Sequence, residues 1–250
     1  LRVDLSNATA ERKRPRFLPF ESHETTSTRA KLEALWNYCN NQWDEAFLGS
    51  QPMETYEGLD LVENRLFNKL RQISTLLSKD PYIPTGPYQQ AYTKAVLLLE
   101  RQIGVAVQER LLFREKFGAI TFSVPTCNFY IPALIYCYMA LRPTPMISSM
   151  YDGFVIRMKN QLEKLTPGQL WRRFPLEFWL WSLMFVGAAS MGRPEQPYFH
   201  EMTSRLCDLM NLRMWEDAKN ILRQFAWVDS MCEQPLKAFW DHLDLRQVAE

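Results

Sequence analysis

The sequence predicts an all-α protein: one compact, irregular bundle of about nine to eleven helices across residues 28–250, behind a basic and polar tail at 1–27. Three observations predict it. Leu occurs 32 times against 19 for Val and Ile together, and unbranched-at-Cβ Leu keeps its rotamer freedom in a helix where Val and Ile lose it. Gly is 9 of 250 residues, about half the usual share of roughly 7%, which leaves few of the tight turns a sheet needs. Apolar residues recur at three- and four-residue spacing along most of the chain.

The elements follow in order. Residues 1–27 carry the basic cluster Arg12, Lys13, Arg14 and Arg16 and then a polar run to Ser27. Such a cluster is a nuclear-import signal or an arm near DNA in one reading, and a solvated tail in the other. A first helix is expected over Thr28–Phe47, with Leu32, Leu35, Trp36, Cys39 and Trp43 on one side. A second is expected over Leu59–Leu77, before the breakers Pro81, Pro84, Gly86 and Pro87, and a third from Tyr88 to Phe113, weakened at Gly104. Gly118–Tyr130 is compatible with a short strand limited by Pro125, and Ile131–Leu141 with a short apolar helix. Met146–Leu165 has the clearest amphipathic pattern, placing Ile147, Met150, Tyr151, Phe154, Val155, Met158, Leu162 and Leu165 on one face and Asp152, Arg157, Lys159, Glu163 and Lys164 elsewhere. Thr166-Pro167 reads as a cap and first position of another short helix. Phe174–Met191 is apolar on nearly all sides, so it belongs in the middle of the bundle, and its small end, Gly187-Ala188-Ala189-Ser190, admits a close neighbour. Pro197–Leu212 is one-sided again, through Phe199, Met202, Leu206, Leu209 and Met210. Trp215 to about Glu233 reads as one helix, and Pro235 opens a last segment ending near Leu245.

Composition limits the function classes. With 29 Lys and Arg against 28 Asp and Glu, the net charge is +1, and hydrophobic residues make up 47%. That excludes wholesale disorder and a chain that grips nucleic acid over its whole surface. The most apolar stretch, Phe174–Ala189, falls short of the roughly 20 residues a spanning helix needs and contains Glu177, so no membrane partner is expected. The N-terminus has no apolar secretory core, and the five cysteines are odd in number and widely spaced, which reads as reduced thiols in an intracellular protein. A chain opening on Leu rather than Met reads as a piece of a longer one.

The search for catalytic chemistry finds little. Zinc sites need close Cys or His pairs, and none of Cys39, Cys127, Cys137, Cys207, Cys232, His23, His200 or His242 forms one. No clustered-glycine phosphate loop and no nucleophile elbow occurs. Cys232 and His242 are conceivable as a nucleophile and base, but Cys232 lies on an apolar face, where Cys behaves as a small hydrophobe. No catalytic residue and no cofactor is assigned. Asp229 stands at the edge of the apolar stripe of Ile221, Leu222, Phe225, Val228 and Cys232. A carboxylate there is expected to be tied to an Arg or a loop N–H, or else to serve as the acid of a pocket. Phe178, Trp181 and Met184, with Asp229, form the candidate effector pocket; the competing reading of the aromatic run is plain core.

The C-terminal third is the most specific part of the chain. It reads "FPLEFWLWSLMFVGAAS" and then "LRMWEDAKNILRQFAWVDSMCEQPLKAFW". An apolar Trp-containing helix with a small-residue end precedes a Trp-led helix that closes on an aromatic, Trp, Asp, Cys, Pro and Trp series. This resembles the C-terminal part of the fungal-specific regulatory region of zinc binuclear-cluster transcription regulators, through Trp181, Gly187, Ala188, Trp215, Ile221, Leu222, Phe225, Trp227, Asp229, Cys232, Pro235 and Trp240. The match covers 174–241 well and the upstream helices loosely. The resemblance implies an all-helical, nuclear regulatory domain that answers to effectors or partners. The family's six-cysteine zinc cluster is absent from this chain, so DNA binding is not assigned to it; zinc would enter only with such a cluster upstream of Leu1. The leading expectation is therefore a non-catalytic regulatory domain that shifts between packing states when a protein partner, a second copy or a small molecule binds. The alternatives are a helical small-molecule carrier or enzyme with an aromatic inter-helix pocket, and an interaction scaffold.

Overall fold

A computed structural model describes residues 55–79, 81, 84, 89–117, 127–165, 171 and 174–245. They are helical, with no strand among the described residues. The helices are α1 (Leu61–Lys79), α2 (Gln89–Phe117), α3 (Cys127–Tyr136), α4 (Met150–Leu162), α5 (Leu176–Ser190), α6 (Gln196–Leu209), α7 (Trp215–Leu222) and α8 (Asp229–Trp240), with a π-helical turn, Cys137–Leu141, continuing α3. The basic cluster at Arg12–Arg16 and the helix expected at Thr28–Phe47 lie outside the described residues, as does the cap at Thr166-Pro167.

Local chemistry sets the ends of these helices. α1 opens with a reciprocal cap: Asp60 N donates to Glu63 Oε2 at 3.0 Å, and Glu63 N donates to Asp60 Oδ1 at 2.9 Å, so two otherwise orphaned N–H groups are satisfied. α2 runs uninterrupted through Gly104, because Gly lowers helix propensity without forbidding it. α3 begins at Cys127, ahead of the expected Ile131, and carries Pro132 inside it. α6 is closed just beyond Leu209 by Asn211, whose φ of 53° is left-handed; the Leu212 N–H closes the end on Cys207 O at 2.8 Å. Asn tolerates that conformation as few residues besides Gly do.

α5 is the axis of the molecule. Every residue from Phe178 to Ser190 is buried, as the all-round apolar pattern predicts, and α5 packs against α3, α4, α6, α7 and α8. Its one first-turn acid, Glu177, sits at the N-terminus, where the helix dipole favours a negative charge. One buried apolar cluster takes in residues of all eight helices. At its centre Phe67 of α1 makes edge-on ring contacts with Phe129, Phe178 and Trp181 at 5.5–6.2 Å. Beyond the C-terminus of α5, Arg193 donates to Ala189 O, Met146 O and Ser148 O and pairs with Asp152 at 2.6 Å. One guanidinium thus caps α5 and fixes the loop that leads into α4.

The structure divides the helix expected from Trp215 to Glu233. α7 stops at Leu222, tight turns place Gln224 N on Ile221 O and Phe225 N on Leu222 O, and α8 starts at Asp229 after an extended Val228. Pro235 lies within α8 and does not open a new segment. The reason is the aromatic content of the link. Phe225 packs on Phe67 and Phe178 at 6.0 Å, and Trp181 Nε1 donates to Ala226 O at 3.0 Å. An unbroken helix commits the Ala226 carbonyl to its own i+4 N–H; the break releases it to satisfy the buried indole.

Candidate functional site

The four residues of the expected pocket are placed in two different settings. Phe178, Trp181 and Met184 are buried on α5 within the central cluster, and the Phe178 and Trp181 rings are 5.8 Å apart. Asp229 is at the surface, its side chain 57% exposed. It starts α8 and ties it back to the preceding link: Oδ1 accepts from Trp227 Nε1 at 2.7 Å and from Arg223 Nη2 and Nε at 2.7 and 3.1 Å. Partial burial alone raises its carboxyl, but the bonds from Trp227 and Arg223 and the charges of Arg223 and Lys219 outweigh it and hold the group below the usual carboxylate range. Alongside, Lys219 of α7, almost fully buried, pairs with Glu233 of α8. The charges here fasten α8 to α7.

The three described thiols are buried, a setting that disfavours the thiolate. Cys137, Cys207 and Cys232 are free and buried; burial pushes the Cys207 and Cys232 thiols up to about 12, far from the lowered value a nucleophile needs. His242, weighed as a base for Cys232, has Nδ1 2.7 Å from Ala238 O, to which it donates, and its ring faces His200. The two rings, at an interplanar angle of 26°, lie 6.0 Å apart, and His200 also packs on Phe239 at 5.0 Å. Desolvation, and then the neighbouring His242, lower the His200 value below 6.5. Sequence reasoning treats these histidines as isolated, and their 42-residue separation carries no signal that α6 and α8 bring them together. Among the described residues no group of three or more His, Cys, Asp or Glu is placed to hold a metal, and no helix is long and apolar enough to cross a membrane.

A concave site lies elsewhere, between the end of α4 and the outer side of α6. It has a volume of about 570 Å³ and apolar walls from Leu162, Leu165, Trp171, Tyr198, Met202 and Leu209. The α6 contribution follows from its sequence. Phe199, Thr203, Leu206 and Cys207 are the buried stripe of α6. Tyr198, Met202, Arg205 and Leu209, at steps of four, three and four, form a second straight row beside it. The single apolar side expected from Phe199, Met202, Leu206, Leu209 and Met210 divides here: Phe199 and Leu206 are buried, while Met202 and Leu209 belong to the second row and face the groove, Leu209 60% exposed. Glu163, Arg205 and Asp208 complete the rim. The arrangement suits binding, with apolar area, two rings and few polar groups among its described residues.

Comparison of the chain with protein-family models, with curated proteins and with solved structures finds no match in any of the three.

Proposed function

We propose that the chain is the non-catalytic regulatory domain of a fungal transcription regulator, acting in the nucleus by taking up a partner or a small-molecule effector, with DNA contacted elsewhere. The proposal treats residues 28–250 as one compact unit of about nine to eleven helices. The observation that carries it is the interdependence of the residues in the resembling stretch. Trp181 binds Ala226 O, the Phe239 ring occupies the space beside Gly187, Trp215 packs on Trp240 at 5.9 Å, and Trp227 and Asp229 close the α7–α8 link. The aromatic, small and acidic positions that give the stretch its resemblance serve one packed arrangement of α5, α7 and α8, and this supports reading it as a domain signature. Regulation then works by population: an effector that prefers one arrangement of the helices shifts the equilibrium by its difference in affinity for the two.

The experiment joins residues 1–250 to an unrelated DNA-binding domain and reads a reporter gene in fungal cells. The expected result is a several-fold change in output relative to the DNA-binding domain alone, with no sequence-specific DNA affinity in residues 28–250 themselves. An unchanged reporter despite a soluble, helical fusion, or tight specific DNA binding by 28–250, overturns the reading.

A further inference from the structure

The groove between α4 and α6 has the size, the walls and the charge state of a small-molecule site. About 570 Å³ falls within the roughly 300–1,000 Å³ typical of ligand pockets. Its walls are aliphatic and aromatic, and Met202 supplies an adaptable thioether. Each rim charge is already engaged within the protein. Arg205 pairs with Glu201 at 2.5 Å, Asp208 with Arg213 at 3.0 Å, and Glu163 with Lys159 at 3.9 Å. These described rim charges balance one another within the protein, so they offer a charged ligand no net opposite charge, which suits a neutral one.

One polar group at the walls is left over, and one buried donor lies behind them. Tyr198 is half-buried, and its hydroxyl bonds no described group; desolvation, with Glu163 and Glu201 nearby, pushes the phenol up to about 12, so it remains a donor at neutral pH. Behind Trp171, the ring of Trp179 packs edge-on at 5.6 Å. Trp179 is 1% exposed, and its Nε1–H has no hydrogen-bond partner among the described residues.

We propose that this groove binds an uncharged, mainly apolar small molecule with an acceptor oxygen that takes a hydrogen bond from the Tyr198 hydroxyl. The inference rests on the regulatory reading for its purpose, as the effector of that domain, but not for its geometry.

The test titrates the full chain with Nile red, a neutral planar dye bearing a carbonyl, and in parallel with the anionic dye anilinonaphthalene sulfonate. Saturable one-to-one binding of Nile red, with a Kd on the order of micromolar, is expected, and weaker binding of the anionic dye. Met202→Trp fills the groove and is expected to weaken Nile red about tenfold or more, Tyr198→Phe about threefold or more. Leu209→Trp, at a position 60% exposed, serves as a second filling variant if Met202→Trp disturbs folding. The proposal is overturned if Nile red does not saturate, if both filling variants bind it like the parent, or if the anionic dye binds equally well and competes. Dye binding that responds to the variants beside a silent reporter refutes the regulatory reading and leaves the groove standing; an active reporter with dye binding blind to the variants refutes the groove alone.

Discussion

At the scale of single residues, the Trp181 and Asp229 environments call for opposite outcomes. Trp181 is fully buried and donates to a carbonyl released by the α7–α8 break. Trp181→Phe removes that bond together with ring volume in a close-packed core, and a loss of about 2–4 kcal/mol in unfolding free energy is expected by urea denaturation. Asp229→Asn keeps the shape and an acceptor oxygen while removing an exposed charge, so the expected loss is below about 1 kcal/mol. A large loss at Asp229 with unchanged stability at Trp181 contradicts this account of which of the two holds the link. The sequence shows both residues as candidates for one pocket because helical periodicity to Cys232 sets Asp229 beside the buried stripe. The helix break rotates that relation, and its cause, an indole in α5 more than forty residues earlier, is invisible to any local pattern.

At the scale of elements, the approach of α5 and α8 is set by one missing methyl group. A Cβ built on Gly187 meets the Phe239 ring at 2.2–2.7 Å, well inside contact distance, and Phe239 is fully buried. Gly187→Ala therefore forces the ring or the helix to move, with an expected destabilisation of about 1–3 kcal/mol even though Ala is the better helix former. Phe239→Leu alone removes ring volume and destabilises as well. In the double variant Gly187→Ala, Phe239→Leu the smaller side chain makes room for the methyl, so the combined loss is expected to fall below the sum of the single losses. Additive losses in denaturant melts contradict the close-approach account. The small-residue end of this segment signals a close neighbour in the sequence, and the all-round apolar pattern signals its central place, because both depend on residues within one helix. Which helix approaches depends on the fold of residues 229–240, which the sequence pattern runs together with α7. The groove is hidden for a related reason: a second row on α6 is recognisable only when the neighbouring elements leave it uncovered.

At the scale of the whole molecule, the contact between His200 of α6 and His242 beyond α8 makes stability depend on pH. Burial, and then the facing imidazole, lower the His200 value below its ordinary 6.5, so the folded state favours neutral His200 over its protonated form. The unfolded chain therefore binds more protons in the interval between the two values, and stability rises with pH there. The contribution is fully present above about pH 6.5 and is lost as the pH falls below it towards the folded value. Neighbouring carboxylates are engaged: Glu201 with Arg205 and Asp241 with Lys237. Carboxylates also titrate mainly below this window. The melting temperature is expected to drop between pH 7.5 and 5.5. His200→Phe keeps a ring against Phe239 and removes the titrating group, so its melting temperature is expected to fall less over that interval than the parent's. His242→Ala leaves His200 but removes its facing imidazole, and an intermediate slope is expected. A parent whose melting temperature is flat from pH 7.5 to 5.5, or a His200→Phe variant that retains the full slope, contradicts a histidine contact that fastens the C-terminal helix to α6 only while it is neutral.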